Sequence, residues 1–439
     1  MKNKYLYVET FGCQMNVHDS GQMTALMKES GYQPTQYPEK ADLILFNTCS
    51  IREKAEQKAF SELGRILKLK KRHPKLIVGF GGCLAQHLGA HVYHRAGEVD
   101  FVFGTHNIHL LPEMVAAVEK KRQRITQVDF HKQLPSANIF APPPQNAVSA
   151  FVTIMHGCNN FCAYCVVPFL RGPEASRTPE DIIEEIKRLP DYGIRDVTLL
   201  GQNVNSYGKT LGGNVDFAAL IRKIGQVDGI RRIRFTTSHP KDLSEELISC
   251  FAQENKLCEH IHLPVQSGSN KILRLMNRGY TVEDYIEKAA RLRRVCPQIS
   301  ITSDIIVGFP QESEKDYQET IDMMEKIRFD SVFSFKYSER KGTAAQKLDG
   351  KVDEQEKLRR LKALQLLQDT YTLQKNKQLE DSTQEVLVEG ESKNSRRDMT
   401  GRTRAWKIVN FRASPDLKGM LADVKITKAY LHSLRGEVV

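Results

Sequence analysis

The chain has 439 residues, 40% of them hydrophobic, with 64 Lys and Arg against 53 Asp and Glu and a formal net charge of +11. That length allows two or three packed domains, and the lack of any run of about 20 apolar residues excludes a membrane-spanning helix. The basic balance favours a polyanionic partner without identifying one, since many basic enzymes bind no nucleic acid.

The opening, MKNKYLYVETFGC, meets Glu9 and Gly12 before a signal-peptide hydrophobic region could form. A cytoplasmic protein is expected, in which the nine cysteines are reduced thiols, metal ligands or catalytic groups rather than disulfides.

From Lys4 to about Ala117 one unit recurs: an apolar strand, a turn of small residues, a cysteine and a helical stretch. YLYVETFGC ends at Cys13, DLILFNTC at Cys49 and KLIVGFGGC at Cys83. The stretch after Cys49, IREKAEQKAFSELGRILKLKKRHP, has apolar residues at helical spacing and stops at Pro74. Strands alternating with helices predict a parallel sheet with right-handed crossovers. Residues just past the strands' carboxyl ends then share one rim, so three distant cysteines meet there, each near a helix start that favours its thiolate. Three core thiols that happen to end strands are the alternative, since buried Cys is common.

A linker follows, marked by PSANIFAPPPQNA and its consecutive Pro142, Pro143 and Pro144. From about Ala147 to Ser338 the alternation resumes, with strands expected at FVTIMHG, DVTLLGQ, IRFTTS, HIHLPV, ITSDIIVGF and SVFSFKY. Six βα units suit a partial TIM-like barrel with its site at the strands' carboxyl ends. A long polar helix over roughly Asp353 to Leu379 is followed by short alternating strands with Gly turns, which predict a small antiparallel β-barrel. The fold class is thus α/β with a parallel-sheet domain at 3–119, a linker at 120–146, a partial (βα)6 barrel at 147–375 and a β-barrel at 376–439.

In HGCNNFCAYC, Cys158, Cys162 and Cys165 follow Cys-x3-Cys-x2-Cys with Tyr164 before the last. Four thiolates normally hold a cubane 4Fe–4S cluster, so three leave one iron open to a small molecule. The alternative is a zinc site completed by a distant ligand such as His156. Cys250, Cys258 and Cys296 share no such pattern and are expected in the core. His87, His91 and His94 fall at i, i+4, i+7 without a carboxylate at ligand spacing, and are expected at the surface. GFGGC lacks the spacing of a phosphate loop.

The Cys-x3-Cys-x2-Cys motif resembles the signature of the radical S-adenosylmethionine (SAM) superfamily. Together with FNTCSIREKA, LLGQNVNSYG, TSHPKDL, HLPVQSGSNKILRLMNRGYT and SFKYSERKGTAA, the chain resembles the radical SAM methylthiotransferase family over nearly its whole length. GQNVNSYG and TTSHP resemble the tRNA-modifying branch, and the C-terminal segment resembles its RNA-binding TRAM domain.

The resemblance implies two 4Fe–4S clusters, one on Cys13, Cys49 and Cys83 and one on Cys158, Cys162 and Cys165. It implies that SAM is both methyl donor and radical source, and that a methylthio group is added at C2 of N6-dimethylallyladenosine beside the anticodon. Radical chemistry suits that carbon, whose hydrogen is not appreciably acidic and which carries no leaving group. SAM contacts are expected from Gln202, Asn203, Ser238, Gln266, Asp304 and Gly308, past or near strand ends, although Asp304 and Gly308 also suit ordinary strand-end and turn roles. The basic stretch SKNSRRDMTGRTRAWK offers Arg396, Arg397, Arg402, Arg404 and Lys407 to RNA phosphates and Trp406 to an unpaired base, with a solvated charged face as the alternative. A low-potential electron donor such as flavodoxin or ferredoxin and a monomeric state are the further expectations. The competing functions are methylthiolation of threonylcarbamoyladenosine in tRNA or of a ribosomal protein, and a non-catalytic iron–sulfur protein that binds RNA.

Overall fold

The structure, a computed structural model, describes residues 3–50, 53–130, 139–213, 215–393 and 395–439, with the side chains of 53–55 and 396 outside that description. The chain forms two compact units: Met1–Pro144 with Phe151–Asn159 and Val166–Glu185, and Gln145–Ala150 with Asn160–Cys165 and Ile186–Val439. The two units interleave in sequence between residues 145 and 186. Residues 166–185 join the first unit, where Thr105 Oγ1 donates to Leu170 O and His106 Nε2 meets Arg171 O. Part of the expected linker, 131–138, lies outside the described residues.

The first unit carries a sheet of six parallel strands among the described residues: β1 Lys4–Thr10, β2 Tyr32–Pro34, β3 Leu43–Thr48, β4 Ile77–Gly82, β5 Phe101–Phe103 and β6 Ile125–Gln127, in the order β2-β1-β3-β4-β5-β6. The three expected strands are its centre, and three three-residue strands extend it. β3 and β4 are buried at every position, as central parallel strands covered on both faces must be. This order is that of flavodoxin-like doubly wound sheets, whose topological switch point falls between β1 and β3. Cys13 and Cys49 follow those two strands.

The glycines of β4 serve packing. A Cβ added at Gly79 would stand 2.4 Å from Phe101 Cζ, and one at Gly81 2.1 Å from Phe103 Cζ. The rings of β5 occupy that space, so GFGGC is shaped by its neighbour strand and not by a phosphate. His87, His91 and His94 are exposed, on a short helix, a 3-10 turn and a second short helix rather than one continuous face.

All six expected strands form, five of them in the second unit and the first, Ser149–Thr153, running from the second unit into the first. Asp196–Leu200, Arg232–Phe235, His260–His262, Ser300–Val307 and Ser331–Lys336 run parallel, and Ile233 bridges to Leu257 between the second and third. The strand Ser149–Thr153 starts beside Asp196, where Val148 O accepts from Arg195 N and Asp196 N. Cys250, Cys258 and Cys296 are buried, and burial pushes the thiols of Cys258 and Cys296 up to about 11, as expected of core residues.

The long polar helix runs Glu354–Lys377, its start capped by Asp353, whose side chain accepts from Gln355 N and Glu356 N. A closed barrel follows in the order Thr383–Ser392, Ser395–Thr403, Ile408–Arg412, Leu434–Val438, Leu421–Ala429. Its core contains Val386, Val388, Met399, Val409, Phe411, Val424 and Ile426. One pair, Ile408–Arg412 with Leu434–Val438, is parallel and not antiparallel as expected. Five strands alternating in direction cannot close a ring without one such pair.

Candidate functional site

At the sheet rim of the first unit the cysteines following β1, β3 and β4 converge. Cys13 is the N-cap of the helix Gln14–Glu29, and Cys83 opens the helix Cys83–Leu88. Gly12 lies so close to Cys49 that an added Cβ would stand 2.6 Å from Cys49 Cβ, and one at Gly82 would stand 2.5 Å from Thr48 O. Both glycines have positive φ, +124 and +90, so a side chain there would be strained as well as obstructed. Asn16 ties the rim together: its Nδ2 donates to Asn47 Oδ1 at 3.0 Å and Thr48 O at 3.1 Å, and Cys13 Sγ lies 3.4 Å from its Oδ1.

Arg171 is buried against this rim, 3% exposed. Its Nη2 reaches Asn16 Oδ1 at 3.4 Å, and its guanidinium is close enough to Cys83 to act on the thiol. Nη1 stands 3.0 Å from Asp19 Oδ2, an ionic contact without hydrogen-bond alignment. Nη1 and Asp19 Oδ1 have no hydrogen-bond partner among the described residues. Burial pushes the Cys83 thiol up, Arg171 draws it back, and Cys13 is close enough to act on it. None of the nine cysteines forms a disulfide.

Among the described residues no three His, Cys, Asp or Glu side chains close around a single metal ion. A cubane cluster spans its thiolates at longer separations than one ion does. A buried cation with an unpaired N–H beside cysteine thiols fits an anionic iron–sulfur cluster better than zinc. His156, the alternative zinc ligand, is held neutral by burial and by Arg171, with Nδ1 unpartnered among the described residues.

Cys158 belongs to the first unit, its amide donating to Gly172 O at 3.2 Å. Cys162 and Cys165 belong to the second. Cys162 is buried, with its Sγ 3.3 Å from Arg278 Nη1 and 3.9 Å from His239 Nε2. Arg278 is fixed by further bonds: Nη1 to Tyr164 Oη at 3.3 Å, Nε to Tyr280 Oη at 3.0 Å and Nη2 to Pro264 O at 2.7 Å. Burial, with Arg278 acting in the same sense, pushes His239 down to about 2, so its imidazole is neutral.

Sequence reading missed Arg171, Arg278 and His239. Neither arginine belongs to a charge cluster, but each precedes a glycine of positive φ, Gly172 at +72 and Gly279 at +69. The Arg-Gly pair was the available signal.

Of the residues expected at SAM, all but Asp304 follow the carboxyl end of a parallel strand in the second unit. Gln202 is half-buried. Asn203 is buried, with Nδ2 on Asp242 Oδ2 at 2.8 Å and Oδ1 lacking a partner among the described residues. Ser238 Oγ is buried and likewise lacks one. It follows Thr237, a β-branched residue at φ +69, a conformation retained only where its surroundings enforce it. Gln266 is also left-handed at +75, with its amide on Asp304 O at 2.9 Å. Asp304 faces His262 Nε2 at 3.4 Å. The space beside Gly308 is taken by Lys357, whose Cγ would stand 2.2 Å from an added Cβ.

Much of the basic stretch of the β-barrel is engaged within the second unit. Arg232 and Arg234, on one face of a central strand, donate to Arg402 O at 2.7 Å, Thr403 O at 2.9 Å and Arg404 O at 2.8 Å. Arg404 pairs with Glu259 at 2.7 Å and also donates to Leu257 O and Asn255 O. Arg402 pairs with Glu389 at 2.5 Å and Lys407 with Asp330 at 3.2 Å. Trp406 stacks on His260 with ring centroids 5.8 Å apart, and the guanidinium groups of Arg234 and Arg402 lie 4.6 and 4.9 Å from its ring. Arg397 and Lys393 are exposed. The side chain of Arg396 lies outside the described residues.

Three family descriptions match the chain: Uncharacterized protein family UPF0004 over residues 5–104, Radical SAM superfamily over 152–324 and TRAM domain over 377–439. The chain is 58% identical over 439 residues to a tRNA-2-methylthio-N(6)-dimethylallyladenosine synthase of Syntrophus aciditrophicus (strain SB), covering 100% of this chain and 95% of that protein. It is 50% identical over 439 residues to the protein of that name from Geobacter sulfurreducens, covering 100% of this chain and 98% of that protein. Among solved structures, the radical SAM methyltransferase TsrM from Kitasatospora setae, with cobalamin and a 4Fe-4S cluster bound, aligns with a TM-score of 0.59 at 14% identity over 79% of this chain and 77% of that one. That likeness speaks for the fold alone. With 58% and 50% identity over the whole length of the chain, the chain belongs to the tRNA-2-methylthio-N(6)-dimethylallyladenosine synthase family.

Proposed function

We propose that the protein is a radical SAM methylthiotransferase that converts N6-dimethylallyladenosine beside the anticodon of tRNA to its 2-methylthio derivative. The full-length identity of 58% to a relative of that name carries the reading, and the cysteines gathered past β1, β3 and β4 agree with it. Cys13, Cys49 and Cys83 would hold one 4Fe–4S cluster and Cys158, Cys162 and Cys165 the other. When bound, the clusters and SAM would supply the sulfur, the methyl group and the radical that removes the C2 hydrogen, whose place the methylthio group takes. The decisive experiment is product analysis on tRNA that already carries the dimethylallyl group.

The chain's own residues do the positioning. Arg278, oriented by Tyr280 and Pro264 O, offers Nη1 to Cys162 Sγ. Oδ1 of Asn203 and Oγ of Ser238, unpaired among the described residues, are the strongest candidates to bind polar groups of SAM, together with Gln202, Gln266 and Asp304. A buried polar atom without a partner costs about 1–3 kcal/mol, a cost that a bound ligand removes. Gly308 contributes by making room for Lys357 rather than by contact.

The domain boundaries at 119, 146 and 375, a cytoplasmic setting, a monomeric state and a low-potential donor such as flavodoxin or ferredoxin belong to the same proposal. No helix among the described residues is long and apolar enough to cross a membrane.

For tRNA we propose contact through the exposed cations of the barrel, Arg397 and Lys393, with Arg396 assigned from sequence alone. Arg404 and Lys407 instead fasten the segment 403–407 to Glu259 and Asp330. Titrating tRNA at several salt concentrations separates these roles. Arg397→Ala should lower the slope of log affinity against log salt by about one unit. Arg404→Ala should leave the slope nearly unchanged and lower the unfolding free energy by about 1–3 kcal/mol, through loss of its bonds to Glu259 and two carbonyls. The reverse pattern would return the phosphate role to Arg404.

A further inference from the structure

Arg171 lies six residues after Cys165 in sequence, yet it is buried against the other cysteine triple. Its backbone is anchored there, since Leu170 O and Arg171 O are held by Thr105 Oγ1 and His106 Nε2, each at 2.9 Å. Its side chain is fixed by Asn16 and Asp19, both on the helix that Cys13 caps. A guanidinium keeps its charge in proteins, and the Asp19 carboxylate stands 3.0 Å from Nη1. A buried arginine with Nη1 unpaired among the described residues is costly unless an anion is placed beside it. Asp19 supplies one negative charge, and the three thiolates of a loaded site would supply more than Arg171 neutralises.

Resting on the assignment of Cys13, Cys49 and Cys83 as cluster ligands, we infer that Arg171 is a positioning residue that sets the reduction potential of the N-terminal cluster. Hydrogen bonds to ligand sulfurs and nearby positive charge stabilise the more negative, reduced cluster, and so raise its potential. The arginine also sits on the segment that leads away from the Cys-x3-Cys-x2-Cys motif. One short stretch of chain thus supplies a ligand to one cluster and the counter-charge of the other. Removing the charge would leave Asp19 uncompensated next to the thiolates, which pushes the potential further in the same direction.

The test uses the full chain carrying Cys158→Ala, Cys162→Ala and Cys165→Ala, so that any remaining cluster reports on the N-terminal triple. Iron and sulfide content and an EPR-monitored redox titration are measured with Arg171 native, Arg171→Gln and Arg171→Lys. The expected result is a midpoint potential shifted to more negative values by Arg171→Gln, and shifted less by Arg171→Lys, which keeps the charge but loses the fork. If Arg171→Gln takes up no cluster, Arg171→Lys decides: a loaded cluster with a small negative shift supports the inference, and failure to load overturns it in favour of a purely structural role. Equal potentials at equal iron content also overturn it. No iron in the protein with native Arg171 would instead refute the assignment of the three cysteines, a separate result.

Discussion

Cys162→Ala should abolish 5′-deoxyadenosine formation from SAM, leaving only the background of the strong reductant. Cys162 is buried, and its Sγ receives Arg278 Nη1 at 3.3 Å, so the sulfur is already oriented by a fixed cation. Three thiolates are the minimum that hold a cubane while leaving an iron open, and loss of one leaves two. The cost is therefore all-or-none rather than graded. Deoxyadenosine is read by chromatography after incubation with SAM and reductant, without tRNA. A Cys258→Ala control, at a core thiol far from the motif in sequence, should retain SAM cleavage. Undiminished cleavage by Cys162→Ala would remove the central triple from the reaction.

Cys49→Ala should separate the two clusters. Iron and sulfide per chain should fall by about half, since on the proposed assignment each triple would hold one cluster of equal size. SAM cleavage should persist, while formation of the methylthio product should stop, because the sulfur-supplying site is lost. Cys49 lies at the switch point of the parallel sheet, packed on Gly12, so removal of one sulfur deletes a ligand at a rim whose backbone is held by Asn16 and Asn47. Unchanged iron would show that the three thiols are structural.

The parts of the fold that the sequence revealed are those with long apolar runs. β1, β3 and β4 are visible because a parallel strand buried on both faces is apolar along its length. The cysteine-ended repeat then followed from strand polarity alone. β2, β5 and β6 have three residues each, too few for any periodicity to register. Their presence turned a three-strand expectation into a six-strand sheet, and β5 explains the glycines of β4 through Phe101 and Phe103.

The candidate site divides in the same way. Cysteine spacing announces candidate ligands because a loop of eight residues must bring its own thiols together. Arg171 and Arg278 carry no such spacing, since their partners lie far away in sequence, and only tertiary packing brings them in. The roles within the basic stretch were illegible for a related reason. Composition gives the sign of Arg404 and Lys407 but not the presence of Glu259 and Asp330 opposite them. What looked like a phosphate-binding run is in good part the seam that fastens the β-barrel to the central strands.

The central claim is the reaction, and its most direct test is mass analysis of nucleosides from tRNA bearing N6-dimethylallyladenosine, incubated with the reconstituted protein, SAM, sulfide and reductant. The account predicts 2-methylthio-N6-dimethylallyladenosine, with none from Cys49→Ala or Cys162→Ala and none from tRNA carrying threonylcarbamoyladenosine instead. SAM cleavage without that product, or methylthiolation of the threonylcarbamoyl nucleoside in its place, would contradict it.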